Sequence, residues 1–138
     1  MKRLFSVKNI ILSCLMLGLV SSALAGDNWT GVSGMYSNVK ITSVHSGYVD
    51  GRKYFCVKAK KTNLDTSACA ISGYTTGGPA YEQLYNQAMY FYSTGELVRI
   101  YVKPNVWSKS DFVRKLTSAA ITGFSTCETG ANCFGPIN

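Results

Sequence analysis

A chain of 138 residues has room for one ordinary domain and little more. It carries 14 Lys and Arg against 7 Asp and Glu, for a formal net charge of +7, and a single histidine. One histidine excludes a His-pair metal site and a two-histidine nuclease mechanism, while the basic balance admits nucleic acid or an anionic cell surface without choosing between them.

The chain opens with Lys2, Arg3 and Lys8, an apolar run from Ile10 to Val20, and Ala23-Leu24-Ala25. This is the pattern of a secretory leader with small residues at the cleavage site, so the predicted division is a signal peptide over 1–25 and one domain over 26–138. The apolar run is shorter than the roughly 20 residues that span a bilayer, and no membrane insertion is expected. Cleavage leaves 11 basic residues against seven acidic ones, a net charge of +4. Of the five cysteines, Cys14 leaves with the leader, and Cys56, Cys69, Cys127 and Cys133 remain. Four cysteines in an oxidising compartment read as two disulfides with three connectivities. The local pairing, Cys56 with Cys69 and Cys127 with Cys133, is favoured because the first bond would staple neighbouring strands. Neither spacing has the C-x2-C knuckle of a zinc site, so no metal or other cofactor is expected.

After a leading segment pinned by Trp29, alternation of Val39, Ile41 and Val44 with polar residues predicts a first strand over 35–46. Asp50-Gly51 marks a hairpin, and a second strand follows over 53–61. A polar loop over 62–67 then leads to a third strand over 68–72. Gly78-Pro79 sets up a helix over 80–94, with Tyr81, Leu84, Tyr85, Ala88, Phe91 and Tyr92 on its apolar face and Gly95 as a left-handed C-cap. The opposite face, with Gln83, Asn86, Gln87, Met89, Tyr90 and Ser93, carries Glu82 as its only charge, which suits packing against copies of itself. A fourth strand over 97–102 ends at Pro104. Ser110 caps a short helix containing Phe112, Val113 and Leu116, and a fifth strand runs over 119–125. Five strands with a helix between the third and fourth is the element order of a small Greek-key barrel, the oligonucleotide/oligosaccharide-binding (OB) fold.

No catalytic constellation emerges. His45 with Asp50 is the one candidate acid–base pair, the carboxylates are scattered, and Gly77-Gly78 lacks the lysine of a phosphate loop. The chain reads as a binder and not an enzyme. Lys58, Lys60, Lys61, Arg52 and Lys53 form a basic edge near Tyr36, Tyr48, Tyr54 and Tyr74. Such a mixture fits an acidic sugar, or alternatively single-stranded nucleic acid stacked on the tyrosines, and export favours the sugar.

The motifs W-T-G at Trp29 to Gly31, G-M-Y-S at Gly34 to Ser37, Y-F-C at Tyr54 to Cys56, L-Y-N-Q-A-M-Y-F-Y-S-T-G at Leu84 to Gly95, V-R-I-Y at Val98 to Tyr101 and C-F-G-P at Cys133 to Pro136 resemble the B subunits of subtilase cytotoxin and typhoid toxin. The resemblance runs from Trp29 to Pro136. It implies an OB-fold barrel assembled as a ring-shaped homopentamer, whose central helices line a pore that receives a separate catalytic A subunit. It also implies recognition of sialylated host glycoproteins or glycolipids, with no nucleic-acid partner. By the same resemblance Ser37 contacts the sialic acid carboxylate, Tyr36 packs beside it, Met35 adjoins the pocket, and Lys61 and Arg99 match site positions. Val102 stands where the subtilase toxin's subunit resembles this chain but for a tyrosine, and its valine is expected to remove a preference for N-glycolyl over N-acetyl sialic acid. The chain departs from the relatives by being shorter between Trp29 and Tyr36, and the loop Thr62 to Thr66 also varies.

Overall fold

The computed structural model describes residues 34–128 and 132–137. The expected leader and the Trp29 anchor lie outside the described residues. Five strands, β1 (Gly34–Val49), β2 (Arg52–Lys61), β3 (Leu64–Ile71), β4 (Val98–Lys103) and β5 (Ala120–Thr126), close into a barrel in the order β1-β2-β3-β5-β4. Helix α1 (Tyr81–Thr94) joins β3 to β4, and a short helix α2 (Ser110–Lys115) precedes β5. No helix among the described residues is long and apolar enough to cross a membrane.

Closure rests on β1, whose 16 residues serve two neighbours. Its second half pairs antiparallel with β2 from Lys40↔Lys60 to Val49↔Arg52, and its first half pairs with β4 from Gly34↔Val102 to Val39↔Val98. The hairpin at Asp50-Gly51 has φ of 50° and 73°, the left-handed pair that a tight two-residue turn requires. The next turn is also tighter than expected. Asn63 takes φ 65°, so β3 begins at Leu64 and not at Ala68, and the predicted polar loop is mostly strand. Its polarity reflects a wet outer face, with Lys60 paired to Asp65 at 2.9 Å.

Helix α1 plugs the barrel. Tyr81, Leu84, Ala88 and Phe91 are buried against Phe55, Val98, Ile100 and Ile121, and burial of Leu84 and Phe91 contributes roughly 1.5–3 kcal/mol each. Gly95 ends the helix at φ 67° with its N–H on the Phe91 carbonyl, a conformation a side chain would strain. Tyr92 departs from the expected face. It is 47% exposed and lies one turn from the exposed Met89, because a 14-residue helix lying on one surface cannot bury residues at both margins of its apolar stripe.

A second core lies outside the barrel under α2, built from Cys56, Cys69, Ile71, Trp107, Phe112 and Ala120. Cys56 stands directly opposite Cys69 in the β2–β3 ladder, and the two are bonded. Closing that loop stabilises the fold by about 3 kcal/mol. The second disulfide joins Cys127 to Cys133, just after β5.

Candidate anion-binding site at the Ser37 bulge

The alternation of β1 breaks once beside β4. Tyr36 pairs with Ile100 and Val39 with Val98, so Ser37 and Asn38 together face the single residue Arg99. Two residues against one is a β-bulge, and Asn38 absorbs it at φ 57°, a conformation asparagine tolerates better than most side chains. The bulge turns the Ser37 hydroxyl toward β4, where Arg99 Nε donates to Ser37 Oγ at 2.7 Å. From the end of β2, Lys61 Nζ donates to the Ser37 carbonyl at 3.2 Å. Ser37, Lys61 and Arg99, three residues far apart in sequence, are thus brought together.

Arg99 points outward from the barrel and is nevertheless only 4% exposed. The loop after β5 covers it. Arg99 Nη1 donates to the Gly135 and Pro136 carbonyls at 3.4 and 3.2 Å. Two residues along β4, the Tyr101 hydroxyl donates to the same Pro136 carbonyl at 3.2 Å and accepts from the Ser125 hydroxyl at 3.0 Å. Gly135 has φ 123°, and a Cβ there would come within 2.5 Å of the Tyr101 hydroxyl and 2.6 Å of Ser125 Oγ. Only glycine lets the backbone lie this close. A cavity of about 520 Å³ opens beside the network, with Gln83, Gln87, Tyr101, Ser125 and Pro136 in its wall.

The electrostatics of this corner are one-sided. Among the described residues, the ion pairs are Lys53–Glu82, Lys60–Asp65, Lys109–Asp50 and Arg114–Asp111, and none involves Arg99 or Lys61. Arg99 is permanently charged, and its partners among the described residues are all neutral oxygens. A hydroxyl has one proton and two lone pairs. Because Ser37 Oγ accepts from the guanidinium, its own proton remains available, polarised, for an outside acceptor. A serine donor flanked by two cations that have no carboxylate partner among the described residues can receive an anion such as a carboxylate.

The other expected site residues fall on both sides of the sheet. Met35 stands opposite Tyr101, sharing the face that carries the network. Tyr36 packs against the barrel core. Val102 is 4% exposed within that core, where it lies against Gly34. It is not brought to the Ser37 cluster. Tyr101, Ser125 and Pro136 join the network beyond the site residues that the sequence motifs mark. The signal for them was present in C-F-G-P and in the two-residue repeat that sets Tyr101 on the same face as Arg99.

The remaining candidates do not assemble. Asp50 is paired with Lys109, while His45 Nε2 and the Tyr54 hydroxyl share a hydrogen bond of 3.0 Å, so the His45–Asp50 pair is not formed. The four tyrosines of the expected stacking platform do not form one surface: only Tyr48 and Tyr54 line a common pocket. Tyr36 enters the core, Tyr54 packs edge-on to Phe112, and Arg52 sits over Tyr74 at 4.9 Å.

No family model matches the chain. The B subunit of subtilase cytotoxin from Escherichia coli is 42% identical over 134 residues, 95% of this chain and 95% of that protein. A chain of the solved subtilase cytotoxin SubAB assembly superposes with a TM-score of 0.72 at 47% identity, covering 78% of this chain and 99% of its own length. A crystal structure described as the A-subunit of the AB5 toxin from E. coli with Neu5Gc-2,3Gal-1,3GlcNAc superposes with a TM-score of 0.74, also at 47% identity, over 78% of this chain and 95% of that one. A mutant PltB homopentamer of Salmonella typhi with Neu5Ac-alpha-2-3-Gal-beta-1-4-GlcNAc glycans reaches a TM-score of 0.74 at 39% identity, over 80% of this chain and 99% of that one. By this identity over nearly its full length, the chain belongs to the family of the subtilase cytotoxin B subunit.

Proposed function

We propose that this protein is the non-catalytic, receptor-binding B subunit of an AB5-type toxin, exported after cleavage behind Ala25, and that it binds sialylated glycans at Ser37. The observation that carries the reading is the Ser37 hydroxyl held by the buried Arg99 guanidinium, which has no carboxylate partner among the described residues, with Lys61 alongside. Sialic acid offers the carboxylate such a site lacks. In this reading Ser37 donates to the carboxylate, Arg99 orients and polarises Ser37, Lys61 adds positive potential, and Met35 lines the rim. Val102 acts from beneath through the packing of Gly34, and N-acetylneuraminic acid is bound at least as well as the N-glycolyl form.

The strand order, with α1 between β3 and β4, supports an OB fold. The relatives solved as a homopentamer and as an assembly with an A subunit support the same quaternary plan here. The open flank of α1 then faces neighbouring copies and the axis, where Gln, Asn, Ser and Tyr pack without repulsion. A ring makes weak sites collectively strong through avidity.

Calorimetric titration with a Neu5Ac-terminated trisaccharide tests the reading, with the asialo disaccharide and single-stranded DNA as comparisons. Binding of the sialoside alone, lost in Ser37→Ala, is the expected outcome. DNA binding that falls steeply with salt and ignores Ser37→Ala would replace it with a nucleic-acid reading.

A further inference from the structure

The loop after β5 has no part in the barrel ladder, yet it supplies the oxygen ligands of the one buried charge in the described structure. Gly135 and Pro136 fix the outer end of the Arg99 guanidinium, and the inner nitrogen of the same rigid plane holds Ser37. Displacing one end of that plane moves the other. Besides Arg99 and the Tyr101 hydroxyl on the Pro136 carbonyl, what holds the loop down is local: the Cys127–Cys133 bond, the Glu128 N–H on the Asn132 carbonyl at 2.8 Å and the Phe134 N–H on the Thr126 carbonyl at 3.0 Å. Phe134 and Ile137 are 86% and 75% exposed and contribute little apolar anchorage. The disulfide itself touches the bulge, with Cys133 Sγ at 3.9 Å from Asn38 Oδ1.

We infer that the Cys127–Cys133 loop is a positioning element for the anion site, acting through Arg99, and that its reduction weakens ligand binding without unfolding the barrel. The inference rests on the sialoside reading of Ser37. A dithiol can open this bond selectively, since Cys127 and Cys133 are half-buried while Cys69 is fully buried and Cys56 nearly so. In that exchange the dithiol's two sulfurs join as a disulfide, and their two electrons and two protons pass to Cys127 and Cys133, which become thiols. The loop is then free to leave the Arg99 guanidinium, and Ser37 loses its fixed donor.

The test is titration of the mature protein with the Neu5Ac-terminated trisaccharide for wild type, the Cys127→Ser/Cys133→Ser double variant and Arg99→Met, alone and combined, with thermal unfolding recorded for each. Gly135→Ala, which keeps the disulfide but forces the loop off Tyr101, makes the same comparison should the double variant not fold. The expected result is an affinity loss of about tenfold, near the strength of a charge-assisted hydrogen bond, with no further loss when the loop variant is added to Arg99→Met. A merely structural role would lower stability and leave affinity alone, or add fully to Arg99→Met, and either outcome overturns the inference. Ser37→Ala run in parallel separates the two levels. Unchanged binding in that variant defeats the sialoside reading itself, whereas binding lost there but intact in the loop variants defeats only the role of the loop.

Discussion

Arg99 Nε reaches Ser37 Oγ at 2.7 Å while Nη1 of the same guanidinium reaches the Pro136 carbonyl at 3.2 Å, so one buried plane ties the β1 bulge to the loop after β5. Lysine has the charge but not the fork. Arg99→Lys is therefore expected to weaken sialoside binding by about tenfold, the equivalent of some 1.4 kcal/mol. Affinity comparable to wild type in a calorimetric titration would show that charge alone suffices.

The bulge makes a separate prediction at Asn38, whose φ of 57° is left-handed. Asn38→Gly should fold with little change in stability. Asn38→Val, with a β-branched side chain forced into that region, should cost about 1–3 kcal/mol and misplace Ser37. Urea denaturation of the two variants measures the difference, and equal midpoints would argue against strain at this position.

Tyr81 makes stability depend on alkaline pH. Burial, followed by the negative charge of Glu82, raises its pKa above the ordinary 10.0. A phenol kept neutral by the fold contributes stability below its unfolded value, and that contribution is lost as the pH climbs through the raised folded value. Thermal midpoints should accordingly fall above pH about 10, and fall less in Tyr81→Phe, which cannot ionise. Identical alkaline profiles for the two proteins would remove Tyr81 as the cause.

Assembly should be sensitive to charge on α1. Met89 and Tyr92 are 38% and 47% exposed on its open flank, and the proposed ring brings copies of that flank together. Met89→Glu is expected to shift sedimentation from the ring toward the monomer while the far-ultraviolet spectrum stays that of the folded barrel. A ring of unchanged stability would place Met89 away from the interface.

Much of this architecture was legible in the chain because local chemistry and tertiary packing agree. Helix α1 was visible from the spacing of Leu84, Ala88 and Phe91 and from the stop at Gly95, and the first hairpin from Asp50-Gly51. Disagreement arose where one side of an element is wet. The first residues of β3 look like a loop because Asp65 and Ser67 serve the outer face, and Tyr92 looks buried because it flanks the apolar stripe. Ser37, Lys61 and Arg99 were named through their resemblance to a family motif. Composition alone could not have selected them, since their meeting depends on a bulge and on barrel closure. The cover over Arg99 was least legible, because an irregular loop carries no periodicity and only Gly135 hints at its close approach.

The most direct test of the central claim is binding of the mature protein, residues 26–138 with both disulfides formed, to host cells before and after sialidase treatment, with Ser37→Ala alongside. The account predicts that either the enzyme or the substitution abolishes binding. Binding that survives both would contradict it, leaving the family fold without the sialic acid ligand proposed for it.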